Sequence, residues 1–145
     1  MLYRRITELE VLLVHPGGPY WVNKDKGAWS IPKGEYDSAA EAAFEAASRE
    51  FGEEVGSPVP EGIPLALGDV TQKTGKVVSA WAIAGDLDAG SIISNTFSME
   101  WPPRSGRMRD FPEVDRAGWF TIEAARLAIN PAQAAFLDRL IAALT

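Results

Sequence analysis

The chain contains no cysteine among its 145 residues. This absence excludes a disulfide framework, thiolate metal sites and cysteine nucleophiles. Long apolar runs are also missing: VLLVHP at 11–16 falls far short of the roughly 20 residues that a membrane-spanning helix needs. We therefore expect no association with a membrane. The lack of cysteine, together with acidic residues where a secretory signal would be apolar, favours a cytoplasmic location.

Basic residues are scarce relative to acidic ones. The chain has 14 lysines and arginines against 20 aspartates and glutamates, which gives a net charge of −6. An acidic chain does not attract a phosphate backbone through bulk electrostatics, so we expect no nucleic-acid partner. An anionic small molecule would need metal ions or individually placed arginines. The length is that of one ordinary domain, and we expect a single domain over residues 1–145.

The apolar pattern predicts several short strands. Apolar and polar residues that alternate, or short apolar runs bounded by Gly and Pro, are typical of strands and hairpins. The expected strands lie at 1–6, 10–15, 28–34, 65–72, 76–84, 95–101 and 118–120. The polar segment at 102–115, which contains three arginines, is expected to be a long loop.

Two main helices are expected between and after these strands. An alanine-rich run without proline predicts a helix over 38–55 that ends at Gly56. Asn130 as N-cap and Pro131 in the first helical position predict the start of the second. A shorter helical turn capped by Thr121 precedes it. Strands in hairpins combined with helices predict an α/β domain in which helices cover a mixed sheet.

Three carboxylates lie close together on the first predicted helix. At about 100° per residue, Glu50, Glu53 and Glu54 fall within roughly a 100° arc beside the apolar stripe that contains Phe51 and Val55. Like charges at such spacings repel by a few tenths of a kcal/mol per pair. A bound Mg²⁺ would offset this repulsion, since it suits carboxylates combined with waters and substrate phosphates. The alternative interpretation is a solvated acidic helix face.

The surrounding residues resemble the Nudix hydrolase signature. That signature is Gly, a spacer, Glu, seven residues, and then Arg-Glu-apolar-any-Glu-Glu-any-Gly. The segment GEYDSAAEAAFEAASREFGEEVGS matches it at Gly34, Glu41, Arg49, Glu50, Phe51, Glu53, Glu54 and Gly56. Two departures are a spacer of six residues where five are usual, and Ser57 where an apolar residue is typical. WSIPKGE at 29–35 also resembles the members that act on dinucleoside polyphosphates.

The resemblance implies both a fold and an activity. The fold would be a Nudix-type α/β/α sandwich with a central mixed sheet. The activity would be that of a pyrophosphohydrolase dependent on Mg²⁺ or Mn²⁺, which cleaves a phosphoanhydride in a nucleoside diphosphate linked to another moiety. Nucleoside triphosphates and dinucleoside polyphosphates are the leading substrates, and a homodimer is possible. The alternative is a catalytically silent Nudix-fold domain that binds nucleotides for regulation.

The resemblance also implies residue roles. Glu50, Glu53 and Glu54 would hold the metal with a backbone carbonyl near Lys33 or Gly34, and Arg49 would orient the carboxylates. An acidic residue before the last strand would complete the site. Glu113 is expected there, with Asp110 and Asp115 as substitutes. The general base stays open between Glu50, Glu53 and Glu113. The expected catalytic residues are Arg49, Glu50, Glu53 and Glu113, and the expected metal ligands are Gly34, Glu50, Glu53, Glu54 and Glu113.

Substrate contacts are expected from three segments. Lys33 adjoins the acidic helix, and the forked guanidinium groups of Arg104, Arg107 and Arg109 match phosphate geometry. Tyr20 and Trp21 could stack on a nucleobase. The alternatives are a solvated basic loop for the arginines and a structural role for the two aromatic residues. His15, the only histidine, is interpreted as a structural residue or a substrate hydrogen-bond donor.

Overall fold

A computed structural model describes residues 1–32 and 43–145 of the chain. The strands are β1 (Leu2–Arg5), β2 (Leu9–Pro16), β3 (Leu65–Thr71), β4 (Val77–Ala84), β5 (Thr96–Glu100), β6 (Met108–Pro112) and β7 (Val114–Thr121). The helices are α1 (Ala43–Val55), α2 (Ile122–Ala128) and α3 (Ala135–Leu144). Short 3₁₀ turns lie at Ala89–Ser91 and Pro131–Gln133. No helix in the described part of the chain is long and apolar enough to cross a membrane.

Five strands form the central sheet, in the order β3-β4-β1-β2-β7. The β1 and β4 strands are parallel, whereas the other neighbours are antiparallel. The sheet is therefore mixed, which confirms the predicted α/β class.

The two faces of β2 contribute to two separate cores. Val11 and Leu13 pack in a cluster that includes side chains of α3. Leu12 packs in a second cluster that includes Phe51 and Val55 of α1. Successive side chains of a strand point to opposite faces, so β2 is apolar on both. Helix α1 therefore covers one face of the sheet, and α2 and α3 cover the other.

The predicted loop at 102–115 is wrong over half of its length. Residues 108–112 form β6, which pairs with β5 in a second, two-stranded sheet. Strand β7 begins at Val114, earlier than the predicted strand at 118–120. The charged residues Arg109 and Asp110 are adjacent on β6 and break the apolar–polar alternation that identifies a strand. In the structure, Arg109 stands opposite Met99 and Phe111 stands opposite Phe97.

The predicted helix caps are present with one difference in helix type. The Thr121 side chain accepts a hydrogen bond from the Ala124 backbone N–H, and the Asn130 side chain accepts one from Ala132. The turn that Asn130 caps is a 3₁₀ turn, and α3 begins only at Ala135. The second predicted helix is thus divided into two pieces.

Helix α1 ends against the segment that leads into β5. Gly56 adopts a positive φ of 77°, which glycine tolerates without steric cost. The Val55 carbonyl accepts a hydrogen bond from the Ile93 N–H at 3.1 Å, and the Glu53 carbonyl accepts one from the Asn95 N–H at 2.8 Å. The last turn of a helix leaves carbonyls without intrahelical partners. Here the incoming chain satisfies two of them.

Gln133 is a fully buried polar residue that ties the second half of the chain to residue 31. Its Oε1 accepts a hydrogen bond from the Ile31 backbone N–H at 3.0 Å. Its Nε2 lies 3.4 Å from Gln72 Oε1. Since Ile31 stands just before the segment with Lys33 and Gly34, Gln133 fixes the position from which that segment starts.

We expect Gln133→Leu to destabilise the protein by about 1–3 kcal/mol, because the buried Ile31 N–H would lose its acceptor. Urea denaturation followed by circular dichroism measures this loss. Gln72→Leu is the control, since it removes only the longer contact to the same side chain and should cost less. A Gln133→Leu midpoint equal to that of the wild type would contradict the assigned hydrogen bond.

We expect Gly56→Ala to destabilise more than Gly75→Ala. Both glycines have a positive φ, so both alanines meet the backbone strain of about 1–2 kcal/mol. A methyl group on Gly56 would also overlap the Ile93 carbonyl oxygen, whereas nothing lies within 4 Å of one on Gly75. The same denaturation experiment gives the difference. Equal losses would show that the contact with Ile93 does not constrain the end of α1.

Candidate active site

Arg49 holds two of the predicted metal ligands together on α1. Its Nη1 lies 2.8 Å from Glu50 Oε1 and 3.1 Å from Glu53 Oε1. The two carboxylates therefore share one guanidinium. With Arg49 itself 41% exposed, these ion pairs contribute little to stability, but they hold the two carboxylates next to each other.

The three glutamates are not equally exposed. Glu54 is 7% exposed, and the side chains of Glu50 and Glu53 are 13% and 36% exposed. A solvated acidic face would leave all three in water. Burying a carboxylate costs free energy unless it is paired. The burial of Glu50 and Glu54 therefore argues against the solvated-face interpretation.

Burial raises the pKa of the Glu50 carboxyl above its usual range, and the nearby Glu53 carboxylate adds to the increase. The ion pair with Arg49 acts in the opposite direction. A half-buried carboxyl beside a second carboxylate is a place where an added cation is strongly stabilised.

Glu113 lies between β6 and β7 and is joined to α1 through Asn95. The Asn95 carbonyl accepts a hydrogen bond from the Glu113 N–H at 2.8 Å, while the Asn95 N–H donates to the Glu53 carbonyl at 2.8 Å. The Glu113 carbonyl in turn accepts from the Gly17 N–H at 2.9 Å. One residue thus bonds to the backbones of both Glu53 and Glu113.

The two substitute acids have other contacts. Asp115 lies 2.8 Å from His15 Nδ1, and Asp110 accepts a hydrogen bond from the Ser98 hydroxyl on the neighbouring strand. Of the three acids near the last strand, Glu113 is the one whose backbone N–H bonds to Asn95, and Asn95 also bonds to the Glu53 carbonyl.

The donors on α1 fit a hard divalent cation in type, because all are carboxylate oxygens. As placed, Glu50 and Glu53 face Arg49, and residues 1–32 and 43–145 contain no group of three acidic or imidazole side chains in metal-binding geometry. Lys33, Gly34 and Glu41, which the sequence also assigns to this site, lie outside the described residues.

His15 is a structural residue. It is fully buried, and its ring nitrogens lie 2.8 Å from Asp115 Oδ1 and 2.5 Å from the Lys24 carbonyl oxygen. Its ring also contacts the edge of Trp29, with the ring centroids 5.2 Å apart. With both nitrogens engaged inside the protein, His15 fastens the loop after β2 to β7.

The predicted substrate contacts lie on two neighbouring segments. Tyr20 and Trp21 are exposed on the loop after β2, and Lys24 Nζ lies 4.9 Å from the Trp21 ring centroid. Arg104 and Arg107 are exposed in the turn between β5 and β6. The Tyr20 ring meets the Trp101 ring edge to face at 5.4 Å, which brings the two segments together.

The contact between Trp101 and Tyr20 is not predicted by the sequence, which indicates only that Trp101 ends a strand. The two prolines that follow it and the three arginines nearby were the available signal, but the contact with Tyr20 depends on the fold.

Comparison with known proteins places this chain in a family. The model of the NUDIX domain matches residues 2–140. No curated protein sequence matches the chain.

Solved structures show the same fold at low sequence identity. An Ap4A hydrolase of C. elegans in a binary complex has a TM-score of 0.69 at 20% identity, over 99% of this chain and 93% of that one. The NUDIX domain of Shewanella oneidensis NrtR, complexed with ADP ribose, has a TM-score of 0.62 at 15% identity, with coverages of 99% and 84%. A mutT/nudix family protein from Listeria innocua has a TM-score of 0.61 at 18% identity, with coverages of 99% and 89%.

These neighbours agree with the α/β/α arrangement of helices around a mixed sheet, and the family match spans nearly the whole chain. The resemblance of residues 34–57 to the Nudix signature is thereby confirmed. The chain belongs to the NUDIX family, as a hydrolase that acts on acid anhydrides in phosphorus-containing compounds.

Proposed function

We propose that this protein is a Mg²⁺-dependent pyrophosphohydrolase, with Mn²⁺ as a possible substitute, that cleaves a phosphoanhydride in a nucleoside diphosphate linked to another moiety. The observation that carries the proposal is the link through Asn95, which bonds to the backbones of Glu53 on α1 and Glu113 on the opposite side of the site. The backbones of two acidic segments that are distant in the sequence are thus both hydrogen-bonded to one residue beside the end of α1. We further propose that residues 1–145 act as one domain.

The metal would be held by carboxylate oxygens of α1 and the β6–β7 junction. The proposed ligands are Glu50, Glu53, Glu54, Glu113 and the backbone at Gly34. Bound Mg²⁺ supplies charge neutralisation at the phosphate oxygens and lowers the pKa of water. Arg49 keeps Glu50 and Glu53 adjacent, because one nitrogen atom contacts both.

Hydrolysis requires a carboxylate that accepts a proton from water. The water oxygen bonds to phosphorus, the bridging phosphorus–oxygen bond breaks, and the bridging oxygen leaves on the departing phosphate. Glu53 and Glu113 are more open to solvent than Glu50, whose carboxylate is mostly buried against Arg49. Burial raises the pKa of Glu50, which suits a general base, whereas Glu53 and Glu113 are easier for water to reach, so all three stay candidates for the base.

A nucleotide substrate is supported by the neighbours and by the chain itself. One neighbour is an Ap4A hydrolase and another binds ADP ribose. In this chain, Tyr20 and Trp21 offer exposed aromatic rings, and Arg104 and Arg107 offer exposed cations in a protein with a net charge of −6. Lys33 is a further proposed phosphate contact.

We expect Glu53→Gln to lower kcat at saturating Mg²⁺ by at least about 100-fold, since losing one anionic ligand removes several kcal/mol of charge stabilisation. Phosphate or nucleotide release from a panel of nucleoside triphosphates, dinucleoside polyphosphates and nucleotide sugars measures the effect. Glu45→Gln is the matched control, because Glu45 is an exposed glutamate on the same helix and should leave the rate unchanged.

A wild-type protein that binds nucleotides in calorimetry but releases no product from any panel member would favour the silent binding domain. Equal rates for wild type and Glu53→Gln would remove the proposed role of α1.

We expect Glu113→Gln to lower kcat by about 100-fold or more if Glu113 is the base. As a metal ligand alone, it would instead raise the Mg²⁺ concentration needed for half-maximal rate. A Mg²⁺ titration of kcat separates the two roles. Asp110→Asn is the comparison, because Asp110 is the nearby acid on β6. A larger loss for Asp110→Asn than for Glu113→Gln would overturn the assignment.

A further inference from the structure

The β5–β6 hairpin has two chemically different faces. Side chains alternate between the faces of a strand, and cross-strand partners share a face. Phe97 is opposite Phe111, Met99 is opposite Arg109, and the Trp101 N–H donates to the Arg107 carbonyl at 2.9 Å. One face therefore carries Phe97, Met99, Trp101, Arg107, Arg109 and Phe111. We call it the arginine–aromatic face.

The opposite face has the reverse charge. It carries Ser98 and Glu100 of β5 together with Met108 and Asp110 of β6. Both acidic residues of the two strands thus lie on one side of the hairpin, whereas Arg109 of β6 and Arg107 just before it lie on the side with the aromatic rings. This separation of charge gives the arginine–aromatic face a local positive charge that the net charge of the chain does not show.

The loop after β2 runs along the arginine–aromatic face from base to tip. At the base, the Gly17 N–H donates to the Glu113 carbonyl at 2.9 Å. Further along, a methyl group on Gly18 would lie 3.0 Å from the Phe97 ring. At the tip, Tyr20 contacts Trp101. The two glycines let this loop follow the hairpin closely.

The cations on this face are available to a ligand. The Arg107 guanidinium makes no ion pair or hydrogen bond with any residue in the described part of the chain, and the Arg109 guanidinium lies 5.8 Å from the Phe111 ring centroid. Arginine is suited to phosphate because its planar fork donates two parallel hydrogen bonds.

Distance along β6 sets the order in which a ligand meets these groups. At roughly 3.3 Å per residue, Arg109 lies roughly 13 Å from Glu113, and Arg107, beside Trp101, lies roughly 20 Å from it. A phosphate chain that continues past a bond cleaved near Glu113 would meet the arginines first. An aromatic base at the far end would then reach Trp101 and Tyr20.

We propose that the arginine–aromatic face binds the part of the substrate beyond the cleaved anhydride, with the arginines on its phosphates and the Tyr20–Trp101 pair on a second nucleobase. This inference rests on the proposed function, and it selects dinucleoside polyphosphates over nucleoside triphosphates as the substrate class. Trp101 is then a specificity-determining residue.

The test compares diadenosine tetraphosphate with adenosine tetraphosphate, which has the same phosphates but one nucleoside. Base stacking on an aromatic side chain corresponds to a change of about tenfold or more in affinity. We expect Trp101→Leu to lower kcat/KM for diadenosine tetraphosphate by about tenfold and to change it little for adenosine tetraphosphate. Arg109→Gln should lower kcat/KM for both compounds.

Met108→Ala is the control for a change in the hairpin itself, because Met108 is exposed on the opposite face. It should leave both rates unchanged. Equal losses on the two compounds for Trp101→Leu would overturn the proposal, since a variant that only disturbs the hairpin does not distinguish one nucleoside from two.

Binding without turnover keeps the inference separate from the proposed function. Calorimetry in EDTA measures the affinity of each compound for wild type and for Trp101→Leu. Tighter binding of diadenosine tetraphosphate that Trp101→Leu abolishes would support the face even if no compound were hydrolysed. Hydrolysis together with equal affinity for the two compounds would refute the binding role of the arginine–aromatic face and leave the proposed function intact.

Discussion

The arrangement of the site depends on the backbone hydrogen bonds of Asn95. Its N–H bonds to a carbonyl in the last turn of α1, and its carbonyl bonds to the N–H of Glu113. Carbonyls at a helix C-terminus have no partner within the helix. The N–H group of Asn95 donates the hydrogen bond that one of these carbonyls would otherwise lack. The same bonds bring the backbones of an acidic helix and an acidic strand junction together.

Much of the fold follows from local patterns in the sequence. Helix α1 carries apolar residues at the period of 3.6 that a helix requires, and central strands such as β2 are short apolar runs bounded by turns. The caps at Thr121 and Asn130 followed from side chains that accept backbone hydrogen bonds. The sequence does not predict β6 because an arginine and an aspartate stand next to each other in it, where a strand usually alternates polar and apolar residues. Its apolar contacts come from β5 and the loop after β2, which are brought together only by the fold.

The candidate site was predictable to a different extent in its two halves. The spacing of Glu50, Glu53 and Glu54 on one helix is a property of consecutive residues, and it is visible in the sequence. The link from Asn95 to Glu113 uses only backbone atoms, which leave no signal in residue type. The pairing of Tyr20 with Trp101 joins segments far apart in the chain, so it depends on the tertiary structure.

Strands β6 and β7 are separated by Glu113 alone. Because this joint is so short, the base of the hairpin is tied directly to the first residue of β7 in the central sheet, and the length of β6 sets the distance from Glu113 to the tip. For a molecule bound at the tip, the length of β6 would then determine which of its bonds comes next to Glu113.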